Sequence, residues 1–296
     1  MRTRALRADI LMLLTAMLWG TVFIAQNRGM EHVGPFLFSG TRFLLATLVL
    51  LPLFFWRPGG SPPQPMNRGL LLGGLLMGLV LSVATNLQQV GLMFTSVTNS
   101  GFITGLYVII VPLLGMLFGQ KTGLGTWTGA GLAVIGMFLL SVGENFQVAS
   151  GDWLQLAGAV LWGVHVLLIS ALASRYDPLR LSVLQIAVCA VFSSVLALIF
   201  EDISLASIQL AAPEIIYGGM VGVVIGFTLQ VIAQRDAIAS HAAVILSLEA
   251  VFAAIAGAWF LDESLTMRGY IGCGLMLAGM LVAQLWATRK VEPVTA

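Results

Sequence analysis

Charge is what this 296-residue chain has least of: only 9% of its residues are charged, where soluble domains carry about a quarter. So small a share leaves too little to coat a solvated surface, and the 58% apolar content makes lipid the expected solvent. The formal net charge is +1, too weak a field to gather nucleic acid. Cysteine is nearly missing as well. Cys189 and Cys273 each sit in an apolar run without a CxxC neighbour or metal-ligand spacing, which speaks against a disulfide framework and against a metal site. HExxH, GxSxG and paired acids within the apolar runs are absent, so a membrane-embedded enzyme is not expected. The stretch from Gly115 to Lys121 fails the GxxxxGK[ST] spacing of a phosphate-binding loop, and no cofactor is expected.

What the chain does have is long apolar runs. A helix crossing a hydrocarbon core of about 30 Å needs about 20 residues. Ten such runs occur, at 8 to 27, 35 to 56, 69 to 92, 99 to 118, 125 to 142, 153 to 174, 179 to 200, 214 to 234, 241 to 261 and 268 to 287. Membrane β-strands alternate over about ten residues; these runs are continuous. The expected fold class is therefore an all-α membrane protein of ten transmembrane helices. Arg2, Arg4 and Arg7 precede the first run as in a signal peptide, but no small-residue cleavage site follows, so an uncleaved first span is expected.

With the N-terminus inside, the inner segments hold eleven basic residues: Arg2, Arg4, Arg7, Arg57, Arg68, Lys121, Arg175, Arg180, Arg235, Arg289 and Lys290. The outer ones hold Arg28 and Arg268, and the positive-inside rule then predicts both termini in the cytoplasm. The longest interruption, 57 to 68, is built of Pro58, Gly59, Gly60, Pro62, Pro63 and Pro65 among others, and no soluble domain is expected.

Sliding the chain over itself by 143 positions lays Leu18-Trp19-Gly20 on Leu161-Trp162-Gly163, Pro35 on Pro178, and Gly129, Gly131 and Gly136 on Gly272, Gly274 and Gly279. A shift of 142 pairs Leu87-Gln88 with Leu229-Gln230. Two five-helix halves, 1–148 and 149–296, are expected, and because five is odd the second must be inverted. Inverted repeats suit transporters, since rocking one half against the other opens a midplane site to alternate sides. Duplication in a membrane protein that transports nothing is the other reading.

Leu18-Trp19-Gly20, Arg42-Phe43, Thr104-Gly105-Leu106-Tyr107 and Val111-Pro112-Leu113-Leu114 resemble the EamA family of the drug/metabolite transporter superfamily. In the second half the resemblance rests on Gln234 to Glu249 with Phe252, Leu261 to Leu265, and Gly272 to Gly279. It covers nearly the whole chain and is most like bacterial exporters of amino acids, aromatic ones included. It implies a secondary transporter of the bacterial cytoplasmic membrane, with a small-molecule substrate, the lipid bilayer as its other partner, and a monomer as the simplest form. Ala250 departs from the proline that the family carries after the glutamate, which removes the sequence signal for a kink there.

Polar side chains inside the runs are the site candidates, since in hydrocarbon they line a wet cavity or meet a partner helix. Gly218, Gly222, Gly226, Gln230 and Gln234 form one stripe, and Gly74, Gly78, Ser82, Asn86 and Gln89 a second. The glycine ends read as close packing. The amides Asn86, Gln88, Gln89, Gln230 and Gln234 read as a cavity lining whose donors and acceptors suit a zwitterion. Trp19 and Trp162 fall near mid-membrane, away from the interfaces that tryptophan favours; stacking on substrate and packing beside Gly20 and Gly163 are both open. His165 can meet a carboxylate or shuttle a proton, or rest as a satisfied neutral ring, while His241 falls among headgroups and His32 in an outer loop. Glu249 is a gating or proton-coupling candidate, with a structural role as its alternative. Tyr107 and Asn27 are weaker cavity candidates. Arg42 is read as structural, snorkelling or paired with Glu31 or Glu214. Spans 1, 3, 4, 6, 8 and 9 hold no lysine or arginine near mid-depth, which argues against a phosphorylated substrate. The leading expectation is export of neutral or aromatic amino acids; efflux of lipophilic cations, with Glu249 as counter-charge, is the alternative.

Overall fold

Backbone groups in hydrocarbon must be satisfied within their own segment, and the apolar runs fold accordingly into helices, with no strand among the described residues. A computed structural model describes residues 2–55, 66–95, 97–141, 149–260 and 266–286. Arg57, the prolines and glycines from 58 to 65, Leu261 to Leu265, Arg289 and Lys290 lie outside the described residues.

Helices α1 (Arg2–Gly29), α2 (Pro35–Phe55) and α3 (Arg68–Gly91) are unbroken. Helix α4 runs over Val97–Gly105 and, past Leu106, over Tyr107–Leu117. Helices α5 (Leu124–Ser141), α6 (Ser150–Ala173) and α7 (Pro178–Phe200) follow, and then a short turn, Leu205–Leu210, that the apolar runs do not signal. Helix α8 is α-helical over Ala212–Tyr217, π-helical over Gly218–Phe227 and α-helical again over Thr228–Gln234. Helix α9 comprises Ala239–Leu246 and Glu249–Phe260, and α10 is Met267–Leu285. Nine of these helices are long and apolar enough to cross a bilayer among the described residues, and α5 is a shorter apolar helix.

Local chemistry sets the starts. Asn67 accepts from Leu70 N at 2.8 Å to open α3, and Asp177, just before Pro178, accepts from Arg180 N at 3.0 Å to open α7. Helix α2 is capped from a distance: the Glu201 carboxylate, from beyond the end of α7, accepts from Phe36 N and Leu37 N at 2.7 and 2.8 Å. Large apolar side chains such as Leu48, Leu72, Val191 and Leu198 stand exposed on the outside, as a lipid-facing belt requires. Trp153 and Trp259 are exposed near helix ends, the interfacial position from which Trp19 and Trp162 depart.

Repeat-equivalent helices run antiparallel where they touch. Gly129 and Gly136 of α5 meet Gly279 and Gly272 of α10 in reversed order, and a Cβ on any of the four would fall within 2.5–2.6 Å of the facing carbonyl oxygen. Gly40, early in α2, abuts Ser194, late in α7. Other contacts obey the same exchange: α1 packs on α8 and α9, as α6 packs on α3 and α4. The breaks obey it too, because Leu106 shifted by 142 positions is Leu248. Thus α9 is interrupted at Ser247–Leu248 even without a proline after Glu249. The cause is positional, shared with α4, rather than a matter of that one residue type.

Candidate functional site

A central cavity lies where α1, α3, α4, α6, α8 and α9 converge, with α2 reaching it from one side. Helix α1 supplies Trp19, Val22, Phe23 and Gln26, a 0, +3, +4, +7 spacing that puts all four on one helical face. Most of the wall is built twice. Trp19 and Phe23 have Trp162 and Val166 as counterparts 143 positions on, and Thr85 and Gln88 have Phe227 and Gln230 at a shift of 142. Thr104 and Tyr107 of α4 likewise answer to Leu246 and Glu249 of α9. Each helix break thus delivers its next residue, Tyr107 or Glu249, to the cavity, where phenol and carboxyl are neighbours. The cavity has a volume of about 50 Å³, well short of the roughly 300 Å³ at which small-molecule pockets begin. A substrate therefore enters only as the walls move apart.

Aromatic rings form one side. Trp162 stacks on Phe227 at 6.0 Å with planes 10° apart, and Trp19 lies 5.0 Å from Phe227 and 6.4 Å from Trp162, tilted to both. Such pairs contribute about 0.5–1.5 kcal/mol each beyond burial. The indole of Trp19 donates to Gly222 O at 3.1 Å, and Gly226 leaves room for it, since a Cβ there would lie 2.4 Å from Trp19 Nε1. Amides and hydroxyls form another side: Gln88 donates to Thr104 Oγ1 at 3.1 Å, and Gln155 donates to the Gln88 carbonyl at 2.9 Å.

Arg42 is 4% exposed and lines the cavity. With the Gln26 amide oxygen turned toward it, both terminal nitrogens donate to that oxygen, at 2.9 and 3.1 Å. Gln89 Oε1 is a weaker acceptor at 3.4 Å, and the guanidinium lies 5.3 and 5.4 Å from the ring centres of Phe38 and Phe43. No ion pair joins Arg42 to Glu31 or Glu214 among the described residues. The expectation of a snorkelling or acid-paired arginine is corrected: buried aromatic faces and amides hold it inward. Span 2, which is not among the six spans without lysine or arginine near mid-depth, thus brings a cation to the cavity.

The model of one family, the EamA-like transporter family, matches residues 6–142 and again 149–284. The chain belongs to the EamA-like transporter family. A transporter of Archaeoglobus fulgidus is 28% identical over 283 residues, covering 95% of this chain and 87% of the relative. A probable amino-acid metabolite efflux pump of Escherichia coli is 29% identical over 164 residues, covering 52% of this chain and 50% of that pump. One solved crystal structure superposes with a TM-score of 0.79 at 20% identity, covering 95% of this chain and 98% of that one, a likeness of fold.

On this EamA transporter, a multi-pass membrane protein, the polar residues singled out in the sequence divide into two sets. Trp19, Gln88, Tyr107, Trp162, Gln230 and Glu249 line the cavity. Asn86, Gln89, His165 and Gln234 lie behind its wall. Asn86 donates to Ser193 Oγ at 2.8 Å, locking α3 to α7. Gln234 donates to Val166 O and Ser170 Oγ at 3.0 and 2.9 Å. His165 Nε2 is 2.8 Å from Gln185 Oε1, with its ring edge-on to Trp162 at 5.8 Å. Asn27 is half-buried away from the cavity, and His241 meets Asp9 at 3.1 Å near the start of α9. Sequence reasoning missed Gln26, Thr85, Thr104 and Phe227 as lining residues. Gln26 was within reach, two turns from Trp19 on the same helical face. Thr104 stands beside Tyr107 in a run already singled out.

Proposed function

We propose that this EamA transporter exports neutral and aromatic amino acids by alternating access through the central cavity. The observation that carries the reading is the box of Trp19, Trp162 and Phe227 set against amides and hydroxyls in one cavity. It offers an apolar aromatic side chain and a polar head separate surroundings. The likeness to a probable amino-acid metabolite efflux pump supports it. In this reading Trp19, Gln88, Tyr107, Trp162, Gln230 and Glu249 contact substrate, while Asn86, Gln89, His165 and Gln234 hold the wall in place. The two units are 1–148 and 149–296, α5 completes a count of ten crossings, and the bias of basic residues puts both termini in the cytoplasm of a bacterial cytoplasmic membrane. A monomer holds the whole cavity. Glu249 is the proton-coupling or gating group.

The test is purified protein in liposomes, supplied with labelled phenylalanine, tryptophan and leucine, with and without an imposed proton gradient. Saturable flux of phenylalanine above protein-free vesicles is expected, and its absence for every amino acid removes the reading. Glu249→Gln should flatten any dependence of flux on pH; an unchanged profile removes the proton role. Glu249, an acid in the cavity with no cation paired to it among the described residues, also favours a second reading, efflux of lipophilic cations. In that case such cations would block phenylalanine flux or replace it.

A further inference from the structure

Resting on the amino-acid reading, the geometry points to a dipolar site in which Arg42 takes the carboxylate and Glu249 the ammonium of one α-amino acid. Both residues are 4% exposed and both line the central cavity, yet no ion pair joins them. The partners of Arg42 are neutral, Gln26 and Gln89, and its Nε has none. Beside Glu249 stands the Tyr107 phenol, while its Oε1 has no hydrogen bond. Buried charges in proteins are paired as a rule. Among the described residues each end of the cavity lacks a counter-charge, and the two missing charges are of opposite sign.

The two groups belong to different levels of the cavity. The Glu249 backbone carbonyl lies against Gly20, whereas Arg42 bonds to Gln26. Those two levels on α1 are about 9 Å apart at 1.5 Å rise per residue. A compact zwitterion, held by a charge-assisted hydrogen bond of about 2.8 Å at each end, would bridge these two levels once the walls have moved apart. Trp19, one residue from the Glu249 level, brings its indole and the neighbouring Trp162 and Phe227 rings to the ammonium end. There a π face favours a cation and the rings accept an apolar side chain. An amine lacking the carboxylate leaves Arg42 uncompensated. An acid lacking the amine leaves Glu249 so, and a phosphate ester would face a single cation and a carboxyl.

The experiment uses the full chain in liposomes and in detergent, with phenylalanine, phenethylamine and 3-phenylpropionate competing against labelled phenylalanine. Binding is followed in parallel by tryptophan fluorescence. In the wild type, phenylalanine should compete at least tenfold better than either analogue. Arg42→Gln should weaken phenylalanine at least tenfold and leave phenethylamine unchanged, with Arg42→Lys restoring part of the difference. Glu249→Gln should do the same with 3-phenylpropionate as the unchanged ligand. Thermal unfolding reports whether each variant is folded, and where one is not, the wild-type competitor series decides. Equal competition by all three ligands overturns the dipolar site, as does a folded Arg42→Gln that keeps the wild-type ratios. If phenylalanine is transported and the ratios do not respond, the dipolar site alone falls; if no amino acid is moved, it falls together with the functional reading.

Discussion

Position 42 and its repeat counterpart, position 185, occupy equivalent places in the two halves and do opposite things. Arg42 faces the cavity with the amides of Gln26 and Gln89 as its hydrogen-bond partners. Gln185 is fully buried and meets His165 at 2.8 Å, away from the cavity. Gln26, which holds Arg42, answers to Ile169, an apolar core residue. The repeat therefore builds the walls twice but places a cation on one side only. A cavity lined alike from both halves has no polarity along its axis. One arginine, opposed by Glu249 where the other half has Tyr107, supplies it.

The most severe way to break this contrast is Gln185→Arg. A charge beside His165 would have no compensating acid, and a loss of about 3–5 kcal/mol is expected for an unpaired buried charge, read as loss of folded protein after extraction. Arg42→Gln, which copies the second half into the first, should cut phenylalanine flux in liposomes by about 100-fold, equivalent to about 3 kcal/mol, with thermal unfolding little changed. His165→Leu should cost about 1–3 kcal/mol by leaving Gln185 Oε1 without its partner, read by thermal unfolding, with the phenylalanine KM unmoved because His165 stands behind the wall. Smallest is the pair of helix starts: Glu201→Ala, at the α2 amides, and Asp177→Ala, at the α7 start, should each cost about 0.5–2 kcal/mol, with Glu201 the larger because it accepts from two amides. Equal losses would mean that the distant carboxylate is no better a cap than the local one.

Much of the fold was legible because lipid imposes one rule, continuous apolar length, and the sequence obeys it with few exceptions. The repeat was legible for a similar reason: Leu18-Trp19-Gly20 and Leu161-Trp162-Gly163 keep their spacing because both tryptophans meet at one cavity. What could not be read was rotation about each helix axis. In a soluble helix the polar face marks the outside, but in these helices lipid-facing and core-facing residues are equally apolar. Asn86 and Gln88 are both polar, and only packing shows that one turns to Ser193 and the other to the cavity. Arg42 posed the same problem, since a cation two turns from a helix end can reach either outward or inward. The π-helical stretch of α8 and the breaks in α4 and α9 left no mark either; where they fall, backbone geometry answers to neighbouring helices rather than to local residue preference.

The glycine seam between α5 and α10 bears on how such a molecule can move. Backbone lies on backbone at two levels there, with Leu132, Leu140 and Met276 packed beside the glycines, so the pair has nothing to gain by separating. It is suited to stay together as a keel. In the alternating-access reading, displacement then falls to α4 and α9, which are jointed at equivalent points beside the cavity. Freezing either joint, rather than loosening the keel, is the change that should arrest the cycle with its cargo enclosed.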